Sequence, residues 1–260
     1  MALARATVIA SEAKQSISPH KEAGLLRRFA PLHKRSRLLQ AMKGDCVIGH
    51  SQGKNDMKLT FSPASPFARK VRIAAIETGL IDKIEFVPAA VAPGQPNEEY
   101  SKINPVKKLP ALILENGEVI VDSYVIVEYL DELAGGGKLI PASGAIRWKV
   151  KSDHSMLQGM LDSMLLCRYE KMVRPEPLRW QAWADDHWNR AWNGMARFEE
   201  QADMLSRPLD IAQIALVCVL GYADFRFADC GWRKAYPKLD AFHEKMLTRP
   251  SVKISLPPAA

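Results

Sequence analysis

The 260-residue sequence has no apolar run near the roughly 18–20 residues that a bilayer span requires. Its longest, Ile214–Gly221, is eight residues and suits a buried core helix, so no membrane partner is expected. Cysteine is scarce. Cys46, Cys167, Cys218 and Cys230 are the four, and no two have the C-x-x-C spacing of a dithiol redox motif or a zinc site. Cys218 lies in an apolar run, where a thiol acts as a small hydrophobe. Reduced, structural cysteines in a cytoplasmic protein are the expectation. Neither a metal-ligand cluster nor a glycine-rich nucleotide loop is visible. Acidic residues are short in one place only. Residues 1–56 hold ten Lys/Arg against four Asp/Glu, which accounts for +6 of the net +7 and leaves the other 204 residues at +1. A nearly neutral body has no electrostatic reason to hold a phosphate backbone, which argues against a nucleic-acid partner.

Three segments follow. Residues 1–56 are basic, without a sustained period and without the continuous apolar core of a secretory signal. They are expected to be a disordered extension with at most a short helix near Leu25–Leu39. A basic, acid-poor targeting segment and a mis-assigned start are both consistent with that composition. From Met57 the pattern changes. Lys58–Phe61 reads as a strand, and Ser65 at an N-cap with Pro66 at N1 opens a helix. Phe67, Val71, Ala74 and Ala75 give that helix one apolar face, and Gly79 ends it. A second strand is predicted over Lys83–Pro88 and a short helix over Glu98–Ile103. Ala111–Leu114 and Glu118–Val121 read as a hairpin turning at Asn116-Gly117. Ser123 is expected to cap a helix carrying Ile126, Val127, Leu130 and Leu133, which Gly135-Gly136-Gly137 breaks. This β-α-β-α-β-β-α order over residues 57–135 is the α/β thioredoxin-like arrangement. Residues 143–260 read as an all-α domain. Its predicted helices are Ala145–Lys171, Leu178–Ser206, Ile211–Tyr222 and Lys238–Leu247, with Asp210 and Gln213 as a D-x-x-Q capping box.

Three signals in the first domain bear on chemistry, and each has a plain structural alternative. A proline at Leu109-Pro110, just before a strand, is a candidate cis peptide that would turn the Leu109 backbone outward to pair with an extended peptide; an ordinary trans loop proline fits as well. Asp122-Ser123 at a helix start can hold an amino-acid zwitterion, the ammonium on the carboxylate and the carboxylate on the free N–H groups and the Ser123 hydroxyl; simple capping is the alternative. Ser65 can donate to a thiolate at a helix N-terminus, or merely cap. Lowering a thiol by roughly two pKa units from about 8.5 needs about 2.7 kcal/mol of preference for the anion. A charged hydrogen bond and a helix terminus together are of that size.

Three stretches resemble bacterial glutathione S-transferases: Met57-Lys58-Leu59-Thr60-Phe61-Ser62-Pro63-Ala64-Ser65-Pro66-Phe67-Ala68-Arg69-Lys70-Val71-Arg72, Asn104-Pro105-Val106-Lys107-Lys108-Leu109-Pro110-Ala111-Leu112 and Val121-Asp122-Ser123-Tyr124-Val125-Ile126-Val127-Glu128-Tyr129-Leu130. Leu220-Gly221-Tyr222-Ala223-Asp224-Phe225-Arg226 and Tyr236-Pro237 are similar to the same family's second domain. The likeness covers residues 57–257. It implies that Ser65 activates the thiol of glutathione and that Leu109 binds the tripeptide backbone beside cis-Pro110. It further implies that Asp122 and Ser123 hold the γ-glutamyl end and that Lys108 meets the glycine carboxylate. It also implies a cytoplasmic homodimer that acts in detoxification on small electrophiles, with glutathione as co-substrate and no metal.

Two departures stand out. Several relatives carry cysteine where Ser65 stands, and serine cannot perform their thiol–disulfide exchange. Asp210 and Gln213 replace the usual Ser/Thr and acid of the second-domain capping box. The electrophile pocket is expected between the domains, against the loop after the first strand and the helix near Asp153–Arg174. Met160, Met164 and Arg174 are its candidates, while Trp180, Trp183, Trp188 and Trp192 read as core or interface. A non-catalytic, glutathione-transferase-like protein that binds partners or regulates is the alternative to a transferase.

Overall fold

A computed structural model of the chain describes residues 56–95 and 97–258. The expectations for residues 1–55, Cys46 included, lie outside the described residues.

β1 (Met57–Phe61) runs parallel to β2 (Ile84–Pro88) and antiparallel to β3 (Ala111–Leu114), which pairs with β4 (Val119–Ile120). The sheet order is β2-β1-β3-β4. Leu59 sits opposite Phe86 on one side and Leu112 on the other, and Leu59 and Leu112 are fully buried. α1 (Pro66–Thr78), α2 (Glu98–Ile103) and α3 (Ser123–Leu133) complete the thioredoxin-like order. α1 starts where the Ser-Pro pair predicts: Ser65 Oγ accepts from Ala68 N–H at 3.2 Å, and Pro66 stands at N1. It ends at Gly79, whose φ of 77° lets its N–H return to the helix carbonyls.

α4 (Gly144–Met172), α5 (Gln181–Glu199), α6 (Ala202–Ser206), α7 (Ile211–Arg226), α8 (Trp232–Ala235), α9 (Pro237–Leu247) and α10 (Pro250–Ile254) follow, with no strand among the described residues of this half. α7 is its centre, buried on every side from Ile211 to Ala223. The predicted capping box opens it: Gln213 N–H donates to Asp210 Oδ1 at 3.0 Å and Asp210 N–H to Gln213 Oε1 at 3.3 Å. Inside it, burial pushes the Cys218 thiol up to about 11, so this cysteine is inert packing.

The helix predicted over Leu178–Ser206 is instead broken twice. A 3₁₀ turn occupies Glu176–Leu178, α5 begins only at Gln181, and Glu200-Gln201 separates α5 from α6. The start of α5 is set by a tertiary contact, Trp180 N–H donating to Glu170 Oε1 of α4 at 2.7 Å. Sequence periodicity cannot register such a bond. Trp180 itself is 66% exposed and so is not a core residue, whereas Trp188 and Trp192 do pack on the core.

α1 serves both halves. One face packs on the sheet and α3, the other on α7 and α10. Arg69 and Lys70, both buried, point toward the helical half. Gly221 of α7 leaves room for Arg69, whose Nη1 stands where a Cβ at that position would be. Farther along, Arg249 donates to both Glu77 oxygens at 3.1 and 2.8 Å, and Ser251 adds a third hydrogen bond to that carboxylate.

Candidate functional site

A cavity of about 740 Å³ opens between the two halves. Its near wall is the turn from Ser62 to Phe67, the loop from Val106 to Leu109 and the start of α3. Its far wall is the face of α4 from Gln158 to Tyr169 and the end of α7. Ser65, Lys108, Leu109, Asp122 and Ser123 all line it. Pro110 is buried behind the lining, and its bond to Leu109 is cis. The Val121–Asp122 bond is also cis.

Ser65 is half-buried at the mouth of α1. Its oxygen already accepts from Ala68 N–H, and a hydroxyl in that state keeps its own proton for another acceptor. The helix terminus adds partial positive charge at the same point.

The Lys108-Leu109 segment is held by residues that the sequence reading leaves without a role. Thr60 Oγ1 donates to Ala111 O at 3.1 Å and accepts from Ala111 N–H at 3.0 Å. Tyr100 Oη, 3.2 Å from Thr60 Oγ1, donates to Lys108 O at 2.8 Å. Buried Asn104 donates to the same carbonyl at 2.8 Å and accepts from Val106 N–H at 3.2 Å. Between them Lys107 adopts a left-handed φ of 52°. The only sequence signal was Asn104-Pro105, a turn-forming pair. Asn104→Ala would leave the Lys108 carbonyl with one bond in place of two. It is expected to lower stability by about 1–2 kcal/mol, read as a shifted urea midpoint.

At α3 the capping residue is Asp122, not Ser123 as expected. Asp122 Oδ1 reaches Tyr124 N–H at 2.9 Å, so the carboxylate takes the capping position and Ser123 becomes N1. The consequence is useful: Ser123 Oγ is buried and has no hydrogen-bond partner on the protein. A buried hydroxyl left unpaired is costly, and a ligand carboxylate at a helix start would satisfy it.

Behind Asp122 stands a polar group absent from the sequence reading. Gln158 Nε2 makes a long contact, 3.5 Å, with Asp122 Oδ2, while Gln158 Oε1 accepts from Lys70 Nζ at 2.6 Å. Lys70 Nζ also lies 3.0 Å from His154 Nε2, and the His154 ring stacks on Tyr124 with centroids 4.3 Å apart. Burial, then the Lys70 charge, lowers His154 to about 2, so it is a neutral acceptor. Burial also lowers Lys70, to about 8, against the smaller pull of Cys218, Asp122 and Asp162.

The far wall corrects the expected electrophile pocket. Met160 and Met164 are buried in the core, and Arg174 lies outside the cavity, paired with Glu170 at 2.7 Å. In their place stand Leu165, Arg168 and Tyr169 of α4 with Tyr222 and Arg226 of α7. The wall from α4 and the loop after β1 do border the cavity as the sequence reading expects.

The chain matches two protein-family descriptions, the glutathione S-transferase N-terminal domain over residues 64–133 and the C-terminal domain over residues 181–245. It is similar to a glutathione transferase family member from Pseudomonas fluorescens solved with bound glutathione, at 36% identity and a TM-score of 0.76, over 78% of this chain and 100% of that one. It also resembles a glutathione S-transferase from Methylobacillus flagellatus with glutathione bound, at 32% identity and a TM-score of 0.69, over 77% and 99% of the two chains. An uncharacterized GST-like protein from Escherichia coli, YibF, is 28% identical over 211 residues, 78% of this chain and all of that protein.

Proposed function

The chain belongs to the glutathione S-transferase family, and from that premise we propose that it is a glutathione transferase that binds glutathione through Lys108, Leu109, Asp122 and Ser123 and activates its thiol through Ser65. The observation that carries this reading is the unpaired, buried Ser123 hydroxyl beside the Asp122 carboxylate, in the same cavity as Ser65. The α-ammonium of the γ-glutamyl group meets Asp122, and its α-carboxylate meets Ser123 and the first amides of α3. The tripeptide then runs along the Leu109 backbone beside cis-Pro110, with Lys108 near its glycine carboxylate. That course brings the cysteine thiol to Ser65, where a hydroxyl donor and a helix terminus favour the thiolate. The thiolate attacks an electrophile held on the far wall.

Retention on immobilised glutathione is the first test; a protein that flows through would sink the reading. Asp122→Ala is expected to weaken glutathione binding by about 1–3 kcal/mol, since it removes a charged hydrogen bond. Calorimetry with unchanged affinity would take Asp122 out of the site.

The active species is a two-fold homodimer. Val125 and Leu133 of α3 and Ile146 and Trp148 of α4 supply exposed apolar surface for it, Trp148 being 69% exposed. Sedimentation at micromolar concentration is expected to return twice the monomer mass, and a single monomeric boundary would refute the dimer.

A further inference from the structure

On the far wall two guanidinium groups face one cavity from different helices, Arg168 from α4 and Arg226 from the end of α7. Among the described residues neither makes an ion pair with a carboxylate. Two carboxylates, Asp122 and Asp162, line the same cavity, and neither is paired with Arg168 or Arg226. Asp122 caps α3, and the charges that act on Asp162 are Lys108, Asp122 and Lys70, all on the glutathione side. Arg226 is not a free surface side chain. Its guanidinium lies 3.5 Å from the centroid of the Phe225 ring, and its Nε is buried with no partner. Burial and then the neighbouring Arg168 charge hold it below its ordinary value.

Two like charges brought together against Leu165, Tyr169 and Tyr222, with no carboxylate paired to either, cost free energy in the empty protein. A bound anion removes that cost, and guanidinium groups hold carboxylates with two parallel hydrogen bonds. We propose that Arg168 and Arg226 form an anion subsite that selects electrophiles carrying a carboxylate, placed beside the glutathione thiol. The inference rests on the glutathione-transferase reading above and names its substrate class. Stacking on Phe225 holds Arg226 in one orientation, so the subsite is formed before substrate arrives. In the test reaction, the thiolate of glutathione displaces chloride from an aryl carbon. A C–S bond forms, the C–Cl pair leaves as chloride, and the thiol proton passes to solvent.

Two matched pairs of probes test this. In calorimetry, S-(4-carboxybenzyl)glutathione is expected to bind about tenfold tighter than S-(4-carbamoylbenzyl)glutathione, a gain appropriate to one charged pairing. In kinetics, 4-chloro-3-nitrobenzoate is expected to exceed 4-chloro-3-nitrobenzamide in kcat/KM by a similar factor, each corrected for its uncatalysed rate with glutathione. R168Q/R226Q brings both ratios to about one, while R168K/R226K keeps part of the preference. Because each readout is a ratio within one protein, partial loss of folded protein does not imitate the effect. A wild-type ratio near one, or a ratio that survives R168Q/R226Q, overturns the subsite. If glutathione itself fails to bind, the reading above fails and takes the subsite with it. If glutathione binds and the ratio is one, the subsite alone is lost. If the acid conjugate is preferred but neither chloroarene reacts, the subsite stands and catalysis is what fails.

Discussion

Ser65→Ala is expected to leave glutathione affinity nearly unchanged while the pKa of the bound thiol rises. The γ-glutamyl and backbone contacts do not involve residue 65, so binding persists. What is lost is the hydroxyl whose proton is free to meet the thiolate, since its oxygen accepts from Ala68 N–H. Near neutral pH the rate with a general electrophile falls about tenfold for each pKa unit the thiol regains, so a two-unit effect is about a hundredfold. Ultraviolet titration of bound glutathione in both proteins reads the shift directly. Equal thiol pKa values would reduce Ser65 to a helix cap. If neither protein lowers the thiol below its free value, the chain binds glutathione without activating it. Ser65→Cys gives a different outcome, new disulfide-exchange activity, because a thiol at a helix start is itself activated.

The second large effect is a pH dependence. Lys70 is fully buried, and its direct partners are the neutral His154 and Gln158. Burial brings its folded pKa to about 8, against 10.5 in the ordinary state. A base with a lowered folded pKa is protonated in the unfolded chain and neutral in the native one between those two values. The unfolded state therefore binds more protons across that window, and stability rises as pH increases from about 8 to 10.5. The gain is on the order of 3 kcal/mol for a group buried this completely. Lys70→Met abolishes this contribution. Urea unfolding of both proteins at pH about 7.5 and about 10 reads it as the difference between their pH profiles, in which groups that do not interact with Lys70 cancel. Identical pH profiles would mean that Lys70 holds its proton as an exposed lysine does.

What could be read from the sequence was local. Ser65-Pro66 states a helix start in two adjacent residues, Asn116-Gly117 states a turn, and Asp210 with Gln213 states a cap. Each rests on bonds that span a few positions. The sheet and the near wall of the cavity follow from such signals placed in order. The far wall does not. Arg168 and Arg226 have no sequence relation that marks them as a pair; only the crossing of α4 and α7 makes them neighbours. Lys70 is one charge on α1, and nothing in its surroundings in the chain announces His154 or Gln158. Ser123 was assigned the cap because serine is a good capping residue, but the carboxylate one position earlier reached the amide first. The break before α5 depends on Glu170, ten residues upstream on another helix.

The position of α1 bears on how the protein is made. The strands and α1 leave the ribosome before the helices that follow them, and at that stage Arg69, Lys70 and Glu77 have none of their hydrogen-bond partners. Gln158 and His154 arrive with α4, Gly221 with α7, and Arg249, Ser251 and Val252 only at the close of synthesis. Lys70 faces water until α4 arrives, and Glu77 has no partner until Arg249 and Ser251 do. Arg249, Ser251 and Val252 are thus the residues that complete the bonds of α1. A nascent chain stopped before Arg249 leaves Arg69 and Glu77 without those bonds.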